Sequence, residues 1–260
     1  MKKTPVDTIP ITLPSELEKL TRGAKIYDSS CSPEAKVYYI SSGYYLKTSK
    51  RESLRREAEM DAYFHSLDLG PEVLYYGCES ERDILLTREV VGEDCTHERY
   101  LSKPYKLAEF LGTSLRQLHS LGTASCPIQN KLGEYLELAR VNYETGNYDK
   151  SHFPDSFGYS SADEAYKVMT EGRYLLKADT LIHGDFCLPN IIPDTSRGVR
   201  YIDLGNAGIS DRHIDLFWGA WTLSFNLGTN KYKDTFFDAY GRDIIDEEKL
   251  KIIAAIEVFG

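Results

Sequence analysis

Apolar residues along this chain change their spacing near residue 92. Before it, short runs rich in β-branched and aromatic residues alternate with polar positions, and residues 24–27, 35–40, 44–48, 73–78 and 84–88 read as strands. One helix interrupts them. Between Glu52 and Leu67, the residues Leu54, Ala58, Met60, Tyr63, Phe64 and Leu67 form an apolar stripe with charged residues on the other positions. Beyond Gly92 the period becomes helical: Leu107, Leu111, Leu115, Leu118 and Leu121 mark one amphipathic helix, and further helices fit 131–143, 163–176, 214–227 and 247–259. This order predicts an α+β fold of two lobes, a small β-sheet-rich one over 1–91 and a larger, mostly helical one over 92–260, with a hinge near 88–92.

One polar string breaks the helical half. His183-Gly184-Asp185 is followed five residues after the aspartate by Asn190, and then by Ile202-Asp203-Leu204-Gly205. Leu181-Ile182 leads in, Ile191-Ile192 leads out, 193–198 has turn composition, and 199–204 alternates as a returning strand. A hairpin of that length would bring Asp185, Asn190 and Asp203 together. Two carboxylates and a carboxamide are hard oxygen ligands of the kind a magnesium nucleotide needs, with one acid left for an acceptor hydroxyl. The plainer reading makes Asp185, Asn190 and Asp203 turn-capping residues, which is the commoner fate of Asp and Asn in loops.

A phosphoryl-transfer site needs a second half upstream. Tyr44-Tyr45-Leu46-Lys47 is a strand whose alternation puts Tyr45 and Lys47 on one face, and an inward lysine needs a counter-charge. Glu57, ten residues on, lies on the predicted helix and is the candidate. The segment Asp28-Ser29-Ser30-Cys31-Ser32-Pro33-Glu34 lacks a glycine-rich pattern, yet its amides and hydroxyls can form an anion nest.

Composition narrows the remaining possibilities. A net charge of −9 argues against nucleic acid as a partner and is compatible with a cationic small substrate. No window approaches the roughly 18–20 apolar residues of a membrane span, and the start of the chain has no apolar signal core, so a cytoplasmic protein without a membrane partner is expected. The five cysteines are scattered with no Cys-x-x-Cys pair and read as reduced residues, not a disulfide or zinc framework. His119 and His213 show no partner in the sequence and read as structural; His183 reads as a shaper of its loop.

Taken together, these strings resemble the aminoglycoside phosphotransferases, most closely the aminoglycoside 3′-phosphotransferases of the kinase-like superfamily. The resemblance runs from Asp28 to Phe259 and rests on the segments 32–38, 45–47 and 56–57, on the loop 183–190, and on 202–205 with its continuation to Asp215. It implies a protein-kinase-like fold and transfer of the γ-phosphate of ATP or GTP, with Mg2+, to an aminoglycoside hydroxyl. Asp185 would be the catalytic residue, and Asn190 and Asp203 would bind the metal. Lys47, positioned by Glu57, would hold the phosphates, with Ser32 touching them. Tyr45 would stack on the base, while backbone near Arg88 and Val90 would meet its edge. The acceptor end departs from the family. Asn206 and Trp221 stand where arginines are common, and Ile256 stands where an aspartate is usual, before Glu257 and the terminal aromatic. Asp155, Asn206, Trp221 and Glu257 are the acceptor-binding candidates. An aminoglycoside acceptor and a monomer or weak dimer are expected. The alternatives are a kinase of the same fold acting on another small hydroxylated molecule, such as choline, a macrolide or a metabolite, and an inactive nucleotide-binding module.

Overall fold

A computed structural model of the chain describes residues 3–31, 35–149, 157–196 and 198–260. Its contacts define two compact units, Met1–Asp94 with Ile191–Gly205, and Cys95–Asn190 with Asn206–Gly260. The boundary thus falls after Asp94, and the 191–205 segment groups with the first unit instead of with 92–260. The physical reason is local. The Tyr201 amide donates to the Leu69 carbonyl at 2.7 Å, and the Tyr201 ring meets Phe64 edge-on at 6.2 Å.

In the first unit, β1 (Thr4–Val6), β2 (Ile26–Asp28), β3 (Lys36–Ile40), β4 (Tyr44–Lys50), β5 (Val73–Glu79) and β6 (Arg82–Arg88) form one antiparallel sheet in the order β1-β2-β3-β4-β6-β5. The helix α1 (Ser15–Thr21) and the strand β1 were not evident in the sequence, because neither is long enough to show a period. Alternation on β4 works as expected. Leu46 is fully buried in a cluster with Tyr38, Ile40, Ile84 and Leu86, while Tyr45 and Lys47 take the other side of the pleat. On that side α2 (Arg55–Ser66) packs over β5, its Ala58 joining Leu54 and Leu85. The β5–β6 turn is closed by Ser80 and Glu81, both with positive φ, the conformation that matches the twist of a two-residue hairpin.

The hairpin expected after Asn190 forms from β8 (Ile191–Asp194) and β9 (Gly198–Tyr201). Its second strand is shorter than the alternation suggested. It stops at Tyr201, because Asp203 adopts a φ of +61° and residues 204–206 make a single 3-10 turn.

The second unit is built from α3 (Glu98–Leu101), α4 (Pro104–His119), α5 (Lys131–Thr145), α6 (Ala162–Gly172), α7 (His213–Leu227), α8 (Lys233–Tyr240) and α9 (Glu247–Glu257). A two-stranded ladder joins β7 (Thr180–Ile182) to β10 (Gly208–Ser210). The core couples α9 to α5, α6 and α7 through residues such as Ala139, Met169, Ile214, Ile253 and Phe259. Helix α8, absent from the sequence reading, is eight residues long and buries Phe236, Phe237 and Tyr240 against α4. Gly112 makes that approach possible, since a Cβ there would fall 2.4 Å from the Phe236 carbonyl oxygen.

Candidate active site

In the second unit, the loop from His183 to Asn190 is fixed by an acid that composition did not single out. Asp215, on the first turn of α7 and fully buried, accepts the amides of His183 at 2.7 Å and Gly184 at 2.8 Å. Its Oδ2 also meets His119 Nε2 at 3.0 Å, and the Tyr240 hydroxyl lies 2.8 Å from His119 Nδ1. Burial holds the His119 imidazole below its ordinary range, so it is neutral, donating from Nε2 to Asp215 and accepting at Nδ1 from Tyr240. The histidine that showed no partner in the sequence is therefore one link of a buried chain. His213 is another: its Nδ1 donates to Asp211 Oδ1 at 2.6 Å, and its Nε2 accepts the Asp246 amide at 2.9 Å.

Gly184 is required at its position. Its φ is +80°, and a Cβ would fall 2.1 Å from the Asn206 carbonyl oxygen. Within this loop Asn190 turns its Nδ2 onto Asp185, donating to Oδ2 at 2.9 Å and to the backbone carbonyl at 3.1 Å. That leaves the Asn190 carbonyl oxygen without a hydrogen bond among the described residues, the atom a hard cation would use. His183 Nδ1 accepts the Asp185 amide at 3.2 Å, consistent with a loop-shaping role. Cys187 is held well above the usual thiol range, by burial first and then by Asp185, so it is an inert thiol.

In the first unit, Lys47 and Glu57 meet. Lys47 Nζ lies 2.8 and 2.7 Å from the two Glu57 oxygens and 2.9 Å from Asp203 Oδ1. Burial alone would push the Lys47 ammonium down, but Glu57 and Asp203 outweigh it and hold it above the ordinary lysine range. Glu57 pays the other side of the balance: burial raises its carboxyl despite Lys47, and Asp203 adds to the rise. The ammonium stays charged between two carboxylates. One turn beyond Glu57 lies Asp61, only 3% exposed, with Oδ1 lacking any hydrogen-bond partner among the described residues. Burial first, then Glu57, raise its carboxyl well above the usual range, so Asp61 keeps its proton.

Tyr45 continues a cross-strand ladder. It pairs with Tyr39 and packs on it at 5.1 Å, and Tyr39 pairs with Tyr27 at 6.0 Å. The Arg88 amide donates to the Glu72 carbonyl at 2.9 Å and its guanidinium to Glu72 Oε2 at 2.6 Å, so that N–H is taken up just ahead of β5. Val90 is half-buried in the segment that follows β6. Ser32 and Asp155 lie outside the described residues.

At the acceptor end, Glu257 is buried on the last turn of α9 and its Oε1 accepts from the Tyr135 hydroxyl and, at 2.7 Å, from Trp218 Nε1. Burial pushes its carboxyl up to about 7; the Tyr135 and Trp218 bonds oppose the rise, Asp185 adds to it and Lys131 eases it. Tyr135, Trp218 and Lys131 were not among the sequence candidates, since nothing in their spacing sets them apart from packing residues. Asn206 accepts at Oδ1 from Lys131 Nζ at 3.1 Å. Trp221 is half-buried, stacked on Phe225 at 4.9 Å and edge-on to Trp218 at 5.4 Å. Ile256 does not face an acceptor: it is 1% exposed and belongs to the core.

The model of the phosphotransferase enzyme family (APH) matches residues 34–253, well over half the chain. The chain belongs to this family. Within the phosphotransferase family it is 45% identical over 249 residues, 95% of each chain, to a probable aminoglycoside 3'-phosphotransferase of Lactococcus lactis. It is 28% identical over 207 residues, 80% of this chain and 79% of the relative, to the aminoglycoside 3'-phosphotransferase of Niallia circulans. Among solved structures, aminoglycoside phosphotransferase APH(3'')-Id of Streptomyces rimosus superposes with a TM-score of 0.75 at 22% identity, covering 94% of this chain and 95% of that one. The fold is thus the kinase-like one of these phosphotransferases, a sheet-rich N-terminal portion followed by a helical C-terminal portion. No helix among the described residues is long and apolar enough to cross a membrane.

Proposed function

We propose that this phosphotransferase moves the γ-phosphate of ATP or GTP onto a hydroxyl of an aminoglycoside. The observation that carries the reading is the whole-length 45% identity to a probable aminoglycoside 3'-phosphotransferase, in a chain that keeps Asp185 fixed by Asn190 and Lys47 fixed by Glu57. Asp185 orients the acceptor hydroxyl and takes its proton as the phosphoryl group leaves the nucleotide. Lys47, charged and pre-aimed, holds the α- and β-phosphates. Tyr45 stacks on the base, backbone around Val90 meets its edge, and Ser32 touches the phosphates. Catalysis on this account is positioning and charge neutralisation in a preorganised site, with no covalent intermediate.

The donor set suits magnesium. No group of three or more Asp, Glu, His or Cys that could hold a metal occurs among the described residues, whereas one carboxylate and one amide oxygen completed by phosphate oxygens is how magnesium is commonly held. Asp203, with half its side chain exposed, and the Asn190 carbonyl oxygen would be its protein ligands. The ion would neutralise charge on the phosphate oxygens.

Asn206, Trp221 and Glu257, with Asp155, contact the acceptor. A second reading makes the acceptor another small hydroxylated molecule: Ile256 stands where the family resemblance implies an aspartate, so a charge-assisted contact worth roughly 1.5–3 kcal/mol is missing there. A nucleotide-consumption assay with ATP and GTP against a panel of aminoglycosides and of other small alcohols tests both. Turnover with at least one aminoglycoside is expected; turnover only with non-aminoglycoside alcohols would establish the second reading.

A further inference from the structure

The two described acidic or polar acceptor candidates, Asn206 and Glu257, are both held from one helix. α5 carries Lys131 and Tyr135 four residues apart, hence on one face and one turn from each other. Tyr135 donates to Glu257, and Lys131 donates to Asn206 at 3.1 Å. The seat of α5 is close and specific. The Ile209 amide donates to the Ile128 carbonyl at 2.8 Å, just ahead of the helix, and Gly208 has a φ of +153° with a Cβ position only 3.0 Å from the Lys131 Cβ. A Cβ at 208 would also fall 2.9 Å from Ile128 Cγ2, and the backbone conformation there is one that favours glycine.

This places a fixed ammonium in a region otherwise suited to cations. Glu257 and Asp185 act on each other electrostatically, and Lys131 acts on Glu257 with the opposite sign. An acceptor amine arriving beside Asn206 would meet a positive charge already bound there. A hydroxyl or ether oxygen would meet a donor instead. Like-charge juxtaposition is a standard way for a site to reject one of two similar ligands.

We infer that Lys131 is a specificity-determining residue of the acceptor site, its ammonium on Asn206 disfavouring acceptors that place an amine at that point and favouring those that place a neutral oxygen there. The inference rests on the aminoglycoside reading above. It also gives the position after Asp203-Leu204-Gly205 a distinct meaning: the positive charge is supplied from α5, through Asn206, instead of from residue 206 itself.

The test uses pairs of aminoglycosides identical except for one amino group replaced by a hydroxyl, with the parent enzyme, Lys131→Met and Lys131→Arg. For the pair whose differing group lies next to residue 206, the parent enzyme prefers the hydroxyl member. Lys131→Met is expected to shift the kcat/KM ratio toward the amino member by about tenfold, a free-energy change of about 1.4 kcal/mol. The shift should lie in acceptor KM, with nucleotide KM unchanged, and Lys131→Arg should keep the parent ratio. A Lys131→Met ratio equal to the parent's for every pair would overturn the inference, as would an equal fall in kcat with both members. A Lys131→Met protein that no longer melts cooperatively would leave Lys131→Arg and Lys131→Gln to report the same ratio. Failure of the parent enzyme to phosphorylate any member overturns the aminoglycoside reading and this inference with it, whereas turnover with an unchanged ratio overturns Lys131 alone.

Discussion

Replacing Asp61 with leucine is expected to stabilise the fold, by an amount that grows as pH rises. Leucine has the same branching as aspartate, and the site is 3% exposed on the inner face of α2, beside Met60 and Phe64 in the chain's own core-facing stripe. Two contributions add. An unsatisfied buried polar atom costs about 1–3 kcal/mol, and leucine removes it. The second is linkage. Burial raises the folded-state carboxyl above its unfolded value, so folded Asp61 keeps a proton that the unfolded chain releases. Across the interval between those two values the parent protein loses about 1.4 kcal/mol of stability for each pH unit of increase, and the leucine variant does not. Because 1 kcal/mol moves a chain of this size by about 2–4 °C, the variant should melt several degrees higher at pH 7. Thermal unfolding followed by circular dichroism from pH 4 to pH 8 reads both effects. A difference in Tm that stays flat or narrows with pH would refute a protonated Asp61 with an unsatisfied Oδ1; so would a lower Tm for the variant at pH 7, once overpacking is checked with Asp61→Ala.

Other consequences follow from the same contacts. Glu57→Gln leaves Lys47 with Asp203 as its one carboxylate on these contacts, and should lower kcat/KM for the nucleotide by on the order of ten- to a hundredfold while acceptor KM stays put; steady-state kinetics decides it. In Asp215→Asn the side-chain NH2 must face the amide of either His183 or Gly184, since each is accepted by a different oxygen, so turnover should fall by about a hundredfold and Tm by several degrees, and an unchanged rate would show that the loop does not depend on Asp215. Glu257 ionises at about 7 when folded against 4.5 ordinarily, so it keeps its proton longer than in the unfolded chain. Its contribution to stability is therefore present below 4.5 and lost by about 7, a fall of about 3 kcal/mol that Glu257→Gln should flatten in urea unfolding across pH 4.5–7.

Much of this molecule was legible because period and chemistry coincide. The alternation at Tyr45, Leu46 and Lys47 fixes which side chain enters the core, and the ten-residue step to Glu57 lands on the helix that packs over the sheet, where Glu57 is buried beside the apolar stripe. The loop string set Asp185 and Asn190 five residues apart, and the structure joins them by a hydrogen bond across a short 3-10 segment. What stayed hidden depends on residues far apart in the chain. Asp215 clamps amides more than thirty residues away, Tyr135 reaches Glu257 across 122 residues, and Lys131 reaches Asn206 across 75. No local spacing encodes such pairs. Short elements such as α1, α8 and β10 were missed for a different reason: three to eight residues are too few to show a period, and tertiary packing decides them.

The most direct measurement is phosphoryl transfer by the parent enzyme and by Asp185→Ala, followed by ADP or GDP release and by mass change of the acceptor, with nucleotide binding measured in parallel. The account predicts transfer to an aminoglycoside by the parent, and in the variant a loss of at least about 10²–10⁴-fold with nucleotide bound as before. Parent-level transfer by Asp185→Ala would contradict it.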